Sequence, residues 1–344
     1  MIKKRQKIAK LSYTVADKET YMPSLCCYST QAELKTLLEP LGQIVFTDEH
    51  LNASTCTLAQ GCDTVCAFVT DTLNRDVLCK LAKQGIRHIA LRTSGYDHVD
   101  LSAADEFKLI VTHVPAYSPQ AIAEHAAALT LMLSHKLQQS LRHQAHLDFR
   151  LSGLLGFNLH QKTVGVIGAG SIGACYVNIM KGFGAKLIAY DPYPKPDLDV
   201  EYTSLSKLFE QSDVVSLHCP LTSKNRYLIN THNLQKMKPN AILINTARGG
   251  LVDTKALLYA LDHNLLAGAG LDVYEFEKGV FFESLTNLKD PLLNALLAKD
   301  NVVITPHQAF FTQEALENVA DIVTDNIQSF WQGIAKNTVE KSRH

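Results

Sequence analysis

The sequence predicts an α/β fold: two doubly wound parallel-sheet domains with a cleft between them. Three observations carry this. Short apolar runs alternate with stretches of helical period along most of the chain, the pattern of parallel strands joined by crossover helices. The alternation starts afresh near Lys162, where a glycine-rich turn follows an apolar run. The length of 344 residues also exceeds the roughly 250–300 at which one core stops growing.

In the first series the apolar runs place strands at Leu25–Tyr28, Gln43–Thr47, Thr64–Val69, His88–Leu91 and Ile110–Thr112. Helical patterns at Thr30–Leu41 and Asp76–Gln84 separate them. A long helical stretch from about Pro119 to Phe149 follows, and its small residues suit close packing between domains or between subunits. The second series places strands at Thr163–Ile167, Lys186–Tyr190, Val214–Leu217, Ala241–Asn245, Leu266–Leu271 and Val302–Thr305. Prolines 192, 194, 196, 220, 239 and 306 fall between or just outside these strands, where a missing N–H does little harm. Residues Gln313–Gly333, holding the one tryptophan, Trp331, form a last amphipathic helix.

Composition narrows the function. With 33 Lys+Arg against 34 Asp+Glu, the formal charge of −1 argues against a nucleic-acid partner, and nothing points to a membrane surface. No apolar run reaches the 18 or so residues that span a bilayer. The N-terminal stretch is basic but lacks the apolar segment of a secretory signal. Eight cysteines, several inside apolar runs, form no Cys-x-x-Cys pair and no zinc-like spacing, so buried free thiols, no metal and a cytoplasmic location are expected.

The most specific local signal is Thr163-Val-Gly-Val-Ile-Gly168-Ala-Gly170-Ser171-Ile172-Gly173, a buried strand running into Gly-x-Gly-x-x-Gly and then a helix. Gly168 permits the tight turn, Gly170 the approach of a pyrophosphate, and Gly173 close packing of helix on strand. The helix N-terminus receives the phosphates. Asp191, eighteen residues past Gly173 at the end of the next strand, suits the ribose hydroxyls and repels a 2′-phosphate, favouring NAD over NADP. A Rossmann-like unit follows for the second series.

Three strand ends downstream bear polar residues. They are Asn245-Thr246-Ala247-Arg248-Gly, Leu271-Asp272-Val-Tyr-Glu-Phe-Glu277, and Thr305-Pro-His307-Gln-Ala-Phe310. Taken singly, each is an ordinary surface residue. Together they supply what hydride transfer to a 2-oxoacid needs: a bidentate arginine for a carboxylate, a histidine for the proton, and a carboxylate to support the imidazolium.

These segments, with Leu91-Arg-Thr-Ser-Gly-Tyr-Asp-His-Val-Asp100, Val114-Pro-Ala-Tyr-Ser-Pro-Gln-Ala-Ile-Ala-Glu-His125 and Leu217-His-Cys-Pro-Leu-Thr222, make the chain resemble the D-isomer-specific 2-hydroxyacid dehydrogenases. The Tyr-Ser-Pro and His-Gln-Ala-Phe versions resemble the fermentative D-lactate branch. The resemblance implies Rossmann-like and flavodoxin-like domains, with residues 1–114 and 308–344 forming the substrate domain and 115–307 the NAD domain. It assigns Arg248 to the substrate carboxylate and carbonyl, His307 to acid–base catalysis, and Glu277 as its partner. Ser94 and Gly95 match the loop that holds the carboxylate by its N–H groups, and Tyr117 a substrate-side tyrosine. Phe68 and Phe310 match the apolar wall around the methyl group. On the cofactor side, Ser171 and Ile172 match the phosphate loop, Asp191 the ribose acid, and Cys219, Pro220 and Asn225 the adenine and ribose loop. Thr246, Ala247 and Asp272 match the nicotinamide end. Arg92 reads as structural.

The implied activity is NAD-dependent reduction of pyruvate to D-lactate and its reversal, in a homodimer or homotetramer. The alternatives are a relative acting on another 2-oxoacid and, in a different class, an NAD-sensing corepressor-like binding protein. About 24 residues precede the first strand, more than this family usually carries.

Overall fold

A computed structural model describes residues 24–339 and the backbone of Ala9–Lys10; the rest of the N-terminal stretch lies outside the described residues. The chain divides into two compact units, residues 1–118 with 312–344, and residues 119–311. Each boundary falls four residues beyond the one expected, for reasons visible in hydrogen bonds. The loop after residue 112 stays with the first unit because Asn326 Nδ2 donates to the His113 carbonyl at 3.0 Å and Asn318 Nδ2 to that of Tyr117 at 2.9 Å. Residues 308 and 309 stay with the second because their N–H groups donate to Asp272 at 2.9 and 3.0 Å.

A short antiparallel ladder pairs β1 (Ala9–Lys10) with β14 (Ile334–Ala335). The main sheet of the first unit contains β2 (Leu25–Cys27), β3 (Ile44–Phe46), β4 (Thr64–Ala67), β5 (His88–Leu91) and β6 (Ile110–Thr112). All its pairings are parallel, in the order β3-β2-β4-β5-β6. This is the 2-1-3-4-5 order of flavodoxin-like sheets, whose order reverses between β2 and β4. Alternate residues bury to opposite faces. Cys26, Val65 and Ile89 pack with Leu78 and Leu81 of the helix Arg75–Lys83. Leu25, Cys27, Cys66 and Ala90 pack with Val319 and Val323 of the helix Gln313–Trp331.

The second unit has β7 (Thr163–Ile167), β8 (Lys186–Tyr190), β9 (Glu201–Tyr202), β10 (Val214–Leu217), β11 (Ile242–Asn245), β12 (Gly268–Leu271) and β13 (Val302–Ile304). They pair in parallel in the order β13-β12-β11-β10-β7-β8-β9. This is the Rossmann order 3-2-1-4-5-6 with one strand added, and it reverses between β7 and β10.

One expectation changes. The long helix over 119–149 is two, Pro119–Ser134 and Leu137–Ala145, broken at Lys136 with φ +54°. The Ser134 carbonyl accepts from Phe157 N–H at 2.8 Å instead of continuing the ladder. Ala123, Ala126 and Ala127 pack with Val164 and Tyr176 of their own unit, and Gly270 of β12 comes so close that a Cβ there would lie 3.0 Å from Leu129.

Beneath helix Gln313–Trp331, His88 is fully buried. Its Nε2 lies 2.8 Å from Thr112 Oγ1, its ring stacks 4.4 Å from Phe330, and burial pushes its pKa down to about 3. The unfolded imidazole, at about 6.5, takes a proton that the folded one refuses, so stability is full above that pH and falls as pH drops toward 3. Urea midpoints taken between pH 7.5 and 5 should fall, with His88 contributing at most about 1.4 kcal/mol per pH unit. His88→Gln should flatten that slope.

Candidate active site

Two of the three phosphate-loop glycines, Gly168 and Gly173, are required by contact. Gly168 has φ +95°, and a Cβ there would lie 2.7 Å from Cys219 N and from the His218 carbonyl carbon. The turn after β7 therefore lies directly against the turn after β10, at the point where the sheet order reverses. A Cβ on Gly173 would lie 2.0 Å from the Gly168 carbonyl oxygen, whereas Gly170 has open space around it. The helix Ser171–Gly182 begins at Gly170 with no side-chain cap, so its first N–H groups are free of internal acceptors. Ser171 is exposed and Ile172 half-buried beside it.

Asp191 holds this loop from the end of β8. Its Oδ2 accepts from Ala169 N–H at 2.7 Å and its Oδ1 from Tyr193 N–H at 2.8 Å. Each oxygen keeps lone pairs for a hydroxyl. Asn225 closes the neighbouring loop on itself: Nδ2 donates to the Pro220 carbonyl at 2.8 Å, and Oδ1 accepts from Thr222 N–H at 2.7 Å. The half-buried Cys219 thiol lies within that loop, and burial pushes its pKa up to about 11.

The Arg248 turn is shaped by Asn245, a fully buried residue that heads the quoted segment but has no role read from the sequence. Its Nδ2 donates to the Arg248 carbonyl at 3.0 Å and its Oδ1 accepts from Ala247 N–H at 3.0 Å. Arg248 Nη1 donates to the Ala247 carbonyl at 2.8 Å. A Cβ on Gly249 would lie 2.1 Å from the Tyr274 carbonyl carbon, so only glycine lets this turn lie against the one leading to Glu277. Thr246 is buried, and its Oγ1 has no hydrogen-bond partner.

Glu277 and His307, thirty residues apart, meet directly. His307 Nδ1 donates to Glu277 Oε1 at 2.9 Å, and Glu277 Oε2 accepts from Tyr274 N–H at 2.9 Å. The two side chains are only 17% and 24% exposed, so the pair is shielded while one edge of the imidazole still meets solvent. His307 has φ +54°, a conformation an L residue holds only when its surroundings impose it. What imposes it is Asp272. Its carbonyl accepts from His307 N–H at 2.8 Å, Oδ1 from Thr305 Oγ1 at 2.6 Å and Gln308 N–H at 2.9 Å, and Oδ2 from Ala309 N–H at 3.0 Å. His125 Nε2 adds contacts to Thr305 Oγ1 at 2.9 Å and Asp272 Oδ1 at 3.3 Å. The rings of Phe282 and Phe310 stand 6.0 and 6.5 Å from that of His307.

In the first unit, Ser94 and Gly95 form the turn after β5, and their carbonyls hold it. Ser94 O accepts from His113 Nδ1 at 2.9 Å, and Gly95 O from Thr93 Oγ1 at 2.6 Å. Phe68 is buried at the end of β4 with the Arg92 guanidinium 5.0 Å from its ring centre. Tyr117 packs half-buried against the core under helix Gln313–Trp331.

The Asp272 carboxylate bonds to the His307 segment, which is compatible with a place near the nicotinamide end. Thr305, His125, Tyr274 and Asn245 complete the second unit's polar network. All four lie inside segments that the sequence motifs single out, but no role is read for any of them there. Among the described residues no group of three His, Cys, Asp or Glu could hold a metal, all eight cysteines are free, and no helix is long and apolar enough to cross a membrane.

Comparison with known proteins places this geometry. The pattern of the D-isomer specific 2-hydroxyacid dehydrogenase NAD-binding domain matches residues 127–309. The chain is 41% identical to the D-lactate dehydrogenase of Escherichia coli over 90% of its own length and 97% of the relative's. It is 39% identical to the aromatic 2-oxoacid reductase of Clostridium sporogenes, over 88% and 94%. The solved pyruvate reductase of Chlamydomonas reinhardtii superposes with a TM-score of 0.84 at 39% identity, covering 90% and 96%. The chain belongs to the NAD-dependent D-isomer-specific 2-hydroxyacid dehydrogenases. Its residues fit NAD: the bare helix terminus, the room at Gly170, the lone pairs of Asp191 and the orphaned Thr246 hydroxyl are all features a bound dinucleotide would use.

Gly173→Ala should push the helix from the Gly168 carbonyl and lower NADH affinity tenfold or more. Fluorescence titration of NADH would show it, and an unchanged affinity would contradict the close-packing role.

Proposed function

We propose that this member of the family is a D-lactate dehydrogenase, reducing pyruvate to D-lactate and catalysing the reverse. The observation that carries the acid–base part is the shielded Glu277–His307 pair at 2.9 Å, with Nδ1 engaged and the other imidazole edge open. Bound NADH supplies the hydride that goes to the carbonyl carbon of the substrate. Arg248 takes the carboxylate in a bidentate fork, and the N–H groups of Ser94 and Gly95 are assigned to the same anion. Protonated His307 gives its Nε2 proton to the oxygen that becomes the hydroxyl, and Glu277 stabilises the imidazolium before and after. In the oxidative direction His307 accepts that proton.

Phe68, Phe310 and Tyr117 are assigned to the substrate side. The adenosine half of NAD falls to Asp191 and the Cys219–Asn225 loop, the pyrophosphate to Gly168–Gly173, and the nicotinamide end to Thr246 and Ala247. We assign Asp272 to the support of the His307 segment.

A second reading has a specific ground: one relative is an aromatic 2-oxoacid reductase at comparable identity. Pyruvate and a bulkier 2-oxoacid therefore compete as the preferred substrate. Steady-state NADH oxidation with pyruvate, 4-methyl-2-oxopentanoate and phenylpyruvate, with chirality-resolved products, decides between them. A homodimer or homotetramer in the cytoplasm, serving fermentation, completes the proposal. The ground for the oligomer alone is the run of exposed apolar side chains at Leu141, Leu147, Phe149, Leu151 and Leu155, 61–91% exposed, which a second copy would cover.

His307→Gln should lower kcat for pyruvate by about 10²–10⁴ with NADH binding retained; unchanged turnover would remove His307 from the mechanism. Arg248→Lys should raise KM for pyruvate at least tenfold, since an ammonium cannot reproduce the fork, and a steady-state titration reads this directly.

A further inference from the structure

At the reversal point of the first sheet, between the ends of β2 and β4, lies a buried polar network that the chemistry above does not use. Asp71 is 1% exposed and Arg92 5%. Asp71 Oδ1 accepts from Ser29 Oγ and from Leu51 N–H, both at 2.7 Å, and its Oδ2 accepts from Phe68 N–H at 2.6 Å. Arg92 Nη2 donates to the carbonyls of Tyr28 at 2.6 Å and Ser29 at 3.1 Å. The same guanidinium lies 5.0 Å from the centre of the Phe68 ring. Ser29 is held at φ +49°, strained for a residue with a Cβ, and both charged groups grip it: Asp71 by its hydroxyl, Arg92 by its carbonyl.

Two opposite charges buried this deeply are costly unless hydrogen-bonded; Arg92 Nη2 serves two carbonyls, while its buried Nε has no hydrogen-bond partner. Their shared target is Phe68, held by its backbone N–H from one side and through its ring from the other. Arg–aromatic contacts of this kind strengthen when desolvated. We propose that Asp71 and Arg92 are specificity-determining positioning residues: together they make Phe68 a fixed wall that limits the length of the 2-oxoacid side chain the enzyme accepts. This rests on the 2-oxoacid reading above.

A wall that can yield admits a longer substrate at little cost to a small one. A rigid wall discriminates by the steric cost of displacing it. In Asp71→Asn one acceptor oxygen becomes an NH₂ donor, so one of the N–H groups it serves loses its partner. In Arg92→Lys the charge remains, but the planar face over the ring is lost.

The experiment measures kcat/KM for pyruvate and for 4-methyl-2-oxopentanoate in the full-length enzyme and in Asp71→Asn, Arg92→Lys, Phe68→Ala and Phe68→Ala/Asp71→Asn. The ratio favouring the longer acid should rise about fivefold or more in Asp71→Asn and Arg92→Lys, through KM and not kcat. Affinity for NADH should stay constant. Phe68→Ala should raise the ratio at least as much, and the double variant should add nothing further, because Asp71 acts through Phe68. Arg92→Lys keeps the buried charge and so provides a folded test should Asp71→Asn be too unstable to assay. Equal losses on both substrates, or additive effects in the double variant, would overturn the proposal. So would an unchanged ratio in Phe68→Ala with pyruvate still reduced. Failure of the wild-type enzyme to reduce any 2-oxoacid would instead overturn the functional reading itself, and this proposal with it.

Discussion

The buried carboxylate of Asp272 organises the catalytic end of the second unit. It sits at the end of β12 with no exposed surface, and its own N–H donates to the Asn245 carbonyl at the end of β11. From there it gathers Thr305, Gln308, Ala309 and His125, and its carbonyl takes the His307 N–H. An unpaired buried anion would be untenable, whereas one satisfied by three hydrogen-bond donors and a neighbouring imidazole rigidifies everything that donates to it. That is how a histidine comes to occupy a left-handed backbone conformation with its Nδ1 on Glu277. The strain at His307 is maintained by Asp272, and the imidazole arrives pre-aimed.

The same logic of close approach governs the cofactor loop and the Arg248 turn. Gly168 allows the turn after β7 to touch the turn after β10, and Gly249 allows the arginine turn to touch Tyr274. In both places two strand ends at the carboxyl edge of one sheet are drawn together until only a hydrogen fits between them. Asp191 and Asn245 then fix those turns by accepting or bridging their N–H and carbonyl groups. The polar side chains that sequence motifs single out are thus in part structural. The near-neutral charge of the chain is compatible with an anionic substrate, because a monocarboxylate needs one arginine and a few N–H groups, not a basic surface.

The fold class was legible because parallel strands buried on both faces write continuous apolar runs, and crossover helices write a different period. The fingerprint, Asp191, Arg248, Glu277 and His307 were legible because motifs recur in order at strand ends. Less legible was how Pro119–Ala145 would behave. Its helical period continues through Lys136, yet Gly156 lies so near the Ser134 carbonyl that a Cβ would be 2.1 Å away, and Phe157 takes that carbonyl from the ladder. The competing partner, Phe157, comes from 23 residues further along (157 − 134), beyond any local window. The short strand Glu201–Tyr202 was missed for a similar reason: two residues carry no period, and only pairing with β8 makes them a strand.

The sequence by itself determined two parallel α/β series and a dinucleotide fingerprint, and it carried the residue types proposed for a proton-relaying, carboxylate-gripping centre, because these depend on local period and short motifs. Only the tertiary structure decided that Asp272 serves the His307 segment. Only it showed that Asn245 shapes the Arg248 turn, and that Asp71 and Arg92 converge on Phe68. The bonds of Asp272 to the His307 segment and the Arg92–Phe68 ring contact join strand ends remote in sequence, and they exist only once the sheets have set strand order and register. The Asn245 bonds and that of Asp71 to Phe68 are local side-chain-to-backbone ones, two or three residues long, whose geometry depends on the turn the finished sheet imposes.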